Sequence, residues 1–196
     1  MDLQISVFLL FALFTAVHSL SCYQCTSLSS TCPQTTCSDG VTSCISASLY
    51  LGNGSIITAK SCALQIGCPS GSINLGIGRI ASTCCDANLC NSLDAPDPPT
   101  VPNGNKCFSC IGDSCSNSVN CSGTEDRCFK ATGNFQSQPI AVKGCVSKSI
   151  CDIVSVFDTF VGGVSCCSGN LCNSAQSVTQ SFLFLCCSLL SFILLH

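Results

Sequence analysis

An all-β, small disulfide-rich fold in two tandem modules is predicted by three features of this 196-residue sequence. Cysteine occurs 22 times, a density that in a short chain marks a cystine scaffold rather than an apolar core. The stretch Cys84-Cys85-Asp86-Ala87-Asn88-Leu89-Cys90-Asn91 returns as Cys166-Cys167-Ser168-Gly169-Asn170-Leu171-Cys172-Asn173, with the same spacing and the same Asn-Leu-Cys-Asn ending. Between cysteines the apolar residues alternate as in strands, and only the two apolar ends leave room for a sustained 3.6-residue period.

Reading back from each copy brings eight further cysteines into register. The first module holds Cys22, Cys25, Cys32, Cys37, Cys44, Cys62, Cys68, Cys84, Cys85 and Cys90. The second holds Cys107, Cys110, Cys115, Cys121, Cys128, Cys145, Cys151, Cys166, Cys167 and Cys172. Modules of this size draw little stability from one apolar core, about 3–5 kcal/mol, and recruit staples. Disulfides serve in oxidising compartments, so the chain is expected to work outside the cell.

Residues 1–19 read as a signal peptide, with the apolar run Val7 to Phe14 too short to span a bilayer and Val17-His18-Ser19 as the cleavage site. Residues 20–92 form the first module. Here Val41 to Leu51 and Ser55 to Lys60 flank Gly52-Asn53-Gly54, a hairpin signature. Residues 93–105 hold Pro96, Pro98, Pro99 and Pro102 and read as a semi-rigid polyproline spacer. In the second module, residues 106–173, Cys128 to Thr132 leads out, Phe135 to Pro139 turns and Ile140 to Cys145 returns. Ile153 to Val161 reads as an unusually apolar third strand pair, one side of whose alternation faces a core. Residues 174–196 combine small residues, a polar spacer and the apolar run Phe182 to Leu195. That is the pattern of a glycolipid-anchor signal, cleaved at Asn173 or alternatively Ser174.

With both ends removed, no histidine remains, since the two are His18 and His196. Ser-His and Cys-His nucleophiles and His-ligated zinc are thereby excluded, and no catalytic residue, cofactor or metal site is expected. Glu125-Asp126 reads as a solvated turn rather than an acid and base pair. Seven Lys and Arg face ten Asp and Glu with no basic run, so a nucleic-acid partner has no electrostatic footprint.

Spacing alone does not choose among the pairings ten cysteines permit. The opening Leu20-Ser21-Cys22-Tyr23-Gln24-Cys25, the ten-cysteine order and the Cys-Cys-x4-Cys-Asn ending resemble the three-finger domains of the urokinase-receptor and lymphocyte-antigen (LU) family, which also includes snake-toxin-like domains. The second module resembles most the C-terminal domain of the urokinase receptor and the gamma-type inhibitors of secreted phospholipases. Lys106-Cys107-Phe108-Ser109-Cys110, Cys121 to Cys128 and Lys143-Gly144-Cys145-Val146-Ser147 carry that likeness. The resemblance implies three hairpin fingers on a knotted base. It implies the pairs Cys22–Cys44, Cys25–Cys32, Cys37–Cys62, Cys68–Cys84 and Cys85–Cys90, and then Cys107–Cys128, Cys110–Cys115, Cys121–Cys145, Cys151–Cys166 and Cys167–Cys172. Asn91 and Asn173 are expected to be buried amides tying the end of each module to its first strand.

The resulting expectation is a non-enzymatic, glycolipid-anchored receptor or adhesion-type module on the outer leaflet of the plasma membrane, binding an extracellular protein. The alternative is a soluble inhibitor resembling the gamma-type phospholipase inhibitors, and the apolar tail favours the first. Phe135 and Phe157 are the candidate contact residues in the second module, chosen because aromatic residues are scarce elsewhere. Asn53-Gly54-Ser55 and Asn120-Cys121-Ser122 are glycosylation sequons, with higher occupancy expected at Asn53 because Cys121 is bridged. Glycosidase treatment of the secreted-pathway protein should therefore increase its gel mobility, and Asn53→Gln should remove most of that change; unchanged mobility of the wild type excludes both sites.

Overall fold

The computed structural model describes residues 19–27, 29, 31–111, 114–135, 138–161 and 163–174; the side chains of 111, 114, 116, 134–140 and 155–161 also lie outside the described set. The apolar ends read as a signal peptide and an anchor signal fall outside it. Strand content dominates, as the cysteine framework implies. The first module contains β1 (Ser21–Tyr23), β2 (Cys25–Thr26), β3 (Gln34–Thr36), β4 (Ser43–Leu51), β5 (Ile56–Ala63), β6 (Gly71–Asn74) and β7 (Gly78–Cys85). The second contains β8 (Pro102–Ile111), β9 (Ser114–Ser122), β10 (Arg127–Phe135), β11 (Gln138–Val146), the helix α1 (Lys148–Val161) and β12 (Val164–Cys167). Strands β1 and β3 pair with each other, as do β8 and β9. The remaining eight form one antiparallel sheet that crosses the module boundary, in the order β12-β10-β11-β6-β7-β4-β5-β2.

Each module is held at its base by five bridges that stay within it. The first has Cys22–Cys44, Cys25–Cys32, Cys37–Cys62, Cys68–Cys84 and Cys85–Cys90. The second has Cys107–Cys128, Cys110–Cys115, Cys121–Cys145, Cys151–Cys166 and Cys167–Cys172. The buried clusters beneath the fingers are made of cystine: Cys22, Cys37 and Cys44 in one module, Cys107, Cys121, Cys128 and Cys145 in the other.

The repeated Asn-Leu-Cys-Asn ending clasps the opening strand by one pattern in both modules. Asn88 Oδ1 accepts the Ser21 N–H at 2.9 Å, and the Leu89 N–H donates to the Ser21 carbonyl at 2.7 Å. Asn91 Oδ1 accepts the Tyr23 N–H, while its Nδ2 donates to the Tyr23 and Ile45 carbonyls. In the second module Asn170 and Leu171 grip Lys106 in the same way. Asn173 Oδ1 accepts the Phe108 N–H, and its Nδ2 donates to the Phe108 and Phe129 carbonyls at 2.9 and 2.8 Å. The side-chain amides thus stand in for a strand edge. Both leucines sit at φ 57°, a strained setting for a side-chain-bearing residue that the surrounding hydrogen bonds hold in place.

The modules are joined by paired strands rather than held apart. Cys145 lies opposite Asn74 and Val146 opposite Ile73. A Cβ on Gly144 would stand 2.1 Å from the Asn74 carbonyl oxygen, so this close approach admits only glycine. Around the ladder, the Ser147 N–H donates to the Ser72 carbonyl and the Ser72 N–H donates to Ser147 Oγ, both at 2.9 Å. Asn74 Nδ2 donates to the Asn120 carbonyl. The ladder sets the base of the second module beside the tip-ward end of β6, and its β10–β11 hairpin runs on for about 24 Å beyond the level of Asn74.

Three expectations change. The proline-rich segment is a strap against the first module, not a spacer. Tyr50 Oη donates to Asp97 at 2.6 Å, Arg79 donates to the Pro99 carbonyl, Lys60 pairs with Asp94, and Ala95 and Pro98 are buried. Burial and the Asp97 hydrogen bond raise the Tyr50 pKa, so the phenol remains a donor throughout neutral pH. Second, Ile153 to Val161 lies in a helix. Ile150, Val154, Phe157 and Val161 fall on one helical stripe, but the adjacent β-branched residues give the same stretch a competing alternation. Third, Glu125 is 0% exposed, and only its neighbour Asp126 reaches solvent. Its carboxylate accepts the Ser122 N–H at 2.8 Å and the Ser72 hydroxyl at 2.9 Å, which bridges the modules and answers the cost of burial. Glu125→Ala, which strands a buried N–H, should lower the unfolding free energy by about 1–3 kcal/mol in calorimetry under non-reducing conditions, with Glu125→Gln costing less.

Candidate recognition surface

Two features of the sheet carry binding chemistry, one exposed and one largely buried. The first is at the fingertips of the first module. The turn Gly52–Ser55 is closed by Leu51 N–H to the Ser55 carbonyl, and Gly54 takes φ +84°. Gly52 N–H reaches the Ile77 carbonyl, drawing the neighbouring tip alongside. Leu51, Ile56 and Ile77 are 37, 53 and 55% exposed there. Asn53 is exposed at the apex, with its Oδ1 accepting the Ser55 N–H.

The second lies on the second module. Lys130 and Lys143 are direct cross-strand partners on β10 and β11, so their side chains share a face. Lys143 is only 4% exposed, with its Nζ 5.9 Å from the centre of the Phe108 ring on β8. Burial, and then the charge of Lys130, lowers the Lys143 pKa. On the opposite face of the sheet α1 covers an apolar pocket of about 180 Å³ lined by Ile73, Phe129, Ala131, Val146, Ile150 and Val154. Ile73 comes from the first module, so this small core also spans the seam.

The sequence candidates are dispersed. Phe135 ends β10, opposite Gln138, and Phe157 lies in α1; both side chains lie outside the described set. Asn120 is exposed on β9, its carbonyl taken by Asn74. Asn173 is buried in the clasp and Ser174 is exposed. The sulfur groups Cys22, Cys37, Cys62 and Cys107, Cys121, Cys145 lie close enough to suggest a metal site, but every member is bridged and offers no thiolate. Lys143 and the seam escaped the sequence reading. Lys143-Gly144 carried one signal: a glycine beside a charged residue in an otherwise apolar returning strand.

Comparison with known proteins gives a consistent picture. Residues 18–93 match the family model described as u-PAR/Ly-6 domain, and residues 106–173 match the model described as snake toxin and toxin-like protein. The chain is similar to the urokinase plasminogen activator surface receptor of Aotus trivirgatus, 33% identical over 110 residues, covering 50% of this chain and 33% of that one. The receptor of Bos taurus is 32% identical over 105 residues, covering 46% and 31%. That of Rattus norvegicus is 34% identical over 104 residues, covering 46% and 32%. The matched part thus spans about a third of the length of these curated relatives.

Proposed function

We propose that the chain, whose two modules match the u-PAR/Ly-6 and the snake toxin and toxin-like models, is a non-enzymatic, glycolipid-anchored receptor of tandem three-finger build that binds an extracellular protein. The observation that carries the reading is the exposed apolar group Leu51, Ile56 and Ile77 on fingers fixed by cystine. Ordered hairpins lose little conformational freedom on binding, which favours protein recognition over a shallow face. Apolar tips surrounded by polar surface supply the dry centre such contacts need. The sequence reading adds Phe135 and Phe157 of the second-module fingers, the second of which lies in α1.

Attachment to the outer leaflet rests on the small residues Asn173-Ser174-Ala175, the polar spacer to Ser181 and the apolar run from Phe182. A glycolipid on the Asn173 main-chain carboxyl group leaves its side-chain amide free to hold Phe108 and Phe129. Glycans on Asn53 and Asn120 complete the proposed mature protein. The names of the relatives state that they are surface receptors for urokinase plasminogen activator; for this chain the ligand is proposed only as a protein.

Two arms test the reading. Phosphatidylinositol-specific phospholipase should release the protein from intact cells, and retention with an epitope placed after Leu195 still attached overturns the anchor. The released protein should bind neighbouring cells, and the pair Ile56→Ser with Ile77→Ser should weaken that binding at least about tenfold, the scale of one lost hot spot. Full binding by this folded pair and by folded Phe135→Ser and Phe157→Ser variants overturns the proposed contacts.

A further inference from the structure

Lys143 has no counter-charge among the described residues. The described ion pairs use Lys60 with Asp94, Arg127 with Asp126 and Lys148 with Asp152. Among the described acidic residues of the second module, Asp126 and Asp152 are taken by those pairs, and Glu125 is committed to Ser72 and Ser122. Neither Lys143 Nζ nor Lys130 Nζ has a hydrogen-bond or ion-pair partner among the described residues. A mostly buried lysine without a partner among the described residues carries a desolvation cost, and placing a second lysine directly opposite raises it. Packing of the aliphatic stem on Phe108 offsets part of it, but a lone stem would be served as well by leucine or methionine.

The site is also held in place. The Asn173 amide bonds to both the N–H and the carbonyl of Phe108 and to the carbonyl of Phe129, which precedes Lys130. One clasp therefore fixes the ring strand and the lysine strand together. Two ammonium groups beside an aromatic wall make a binding place for a single compact anion with an apolar neighbour.

We propose that Lys143, Lys130 and the Phe108 ring receive one acidic side chain, an aspartate or glutamate carboxylate, of the protein ligand. This rests on the protein-binding reading above and supplies its charged contact. A sulfated polysaccharide is the other anion found at cell surfaces, but long polyanions need an extended basic track. This chain carries a net charge of −3 and has no basic run.

The test uses the full chain in detergent with its lysines carrying ¹³C-dimethyl labels, and Lys143→Met and Lys130→Met to assign the two resonances. The probes are hippurate, a carboxylate next to an aromatic ring, its neutral amide, and a heparin hexasaccharide. Hippurate should move the Lys143 and Lys130 resonances saturably and the amide should not. Lys130→Met should weaken the hippurate response about threefold, the scale of one partly exposed ion pair, and Lys143→Arg should retain it. Resonances of the remaining lysines report that each variant is folded. No movement with hippurate overturns the proposal, leaving Lys143 as packing on Phe108, and a response to heparin alone overturns it in favour of a glycan reader. If hippurate binds as expected but the wild-type protein binds no cells, the carboxylate site stands and the protein-receptor reading fails.

Discussion

Each module depends on closing its chain end onto its first strand. The fingers are thin sheets whose interior is made of sulfur, and such an interior leaves the opening strand with too little packing to hold it. The clasp answers this: a side-chain amide from Asn91 or Asn173 bonds both to the first strand and to the central finger. The Cys85–Cys90 and Cys167–Cys172 bridges anchor the residue immediately before that amide, so part of its ordering cost is met covalently. Hence the ending recurs as Asn-Leu-Cys-Asn while Asp86-Ala87 of the first copy becomes Ser168-Gly169 in the second.

The clasp also explains how two small knots become one body. With both bases fixed, the edge strands β6 and β11 present regular backbone, and they pair across the boundary. An exposed strand edge is an aggregation hazard, and here each module covers an edge of the other. Glu125 and Gly144 are the local costs of this solution: one carboxylate kept in a dry site with two donors, and one position where no side chain fits. The strap from Asp94 to Pro99 lies along the same side, so the connection reinforces the first module instead of separating the two. The exposed apolar tips and the Lys143 strand then sit on one joined sheet.

Much of this was legible in residues. The duplicated cysteine register and the Asn53-Gly54 turn carry local physics that no tertiary context overrides, and they mark out the modules and the longest finger of the first. The helix at Lys148–Val161 was not legible, because Ile153-Val154 and Val156-Phe157 satisfy a strand period and a helix period together. Glu125 sat beside Asp126 in a Gly-Thr-Glu-Asp turn, and only pairing with Ser72, 53 residues away, turns it inward. The seam itself is a contact between distant strands whose one local trace is Gly144. Lys143 was hidden by the same fact: a lysine in a strand reads as solvated until the neighbouring β8 is laid against it.

Residue-resolved amide exchange tests the joined-body account most directly, through the N–H groups of Ser72 and Ser147, each bonded across the boundary. The account predicts that both exchange slowly, with protection near that of the knot strands on either side. Rapid exchange of Ser72 and Ser147 while Cys44 and Cys128 stay protected would contradict it, and would make the two modules independent knots on a chain.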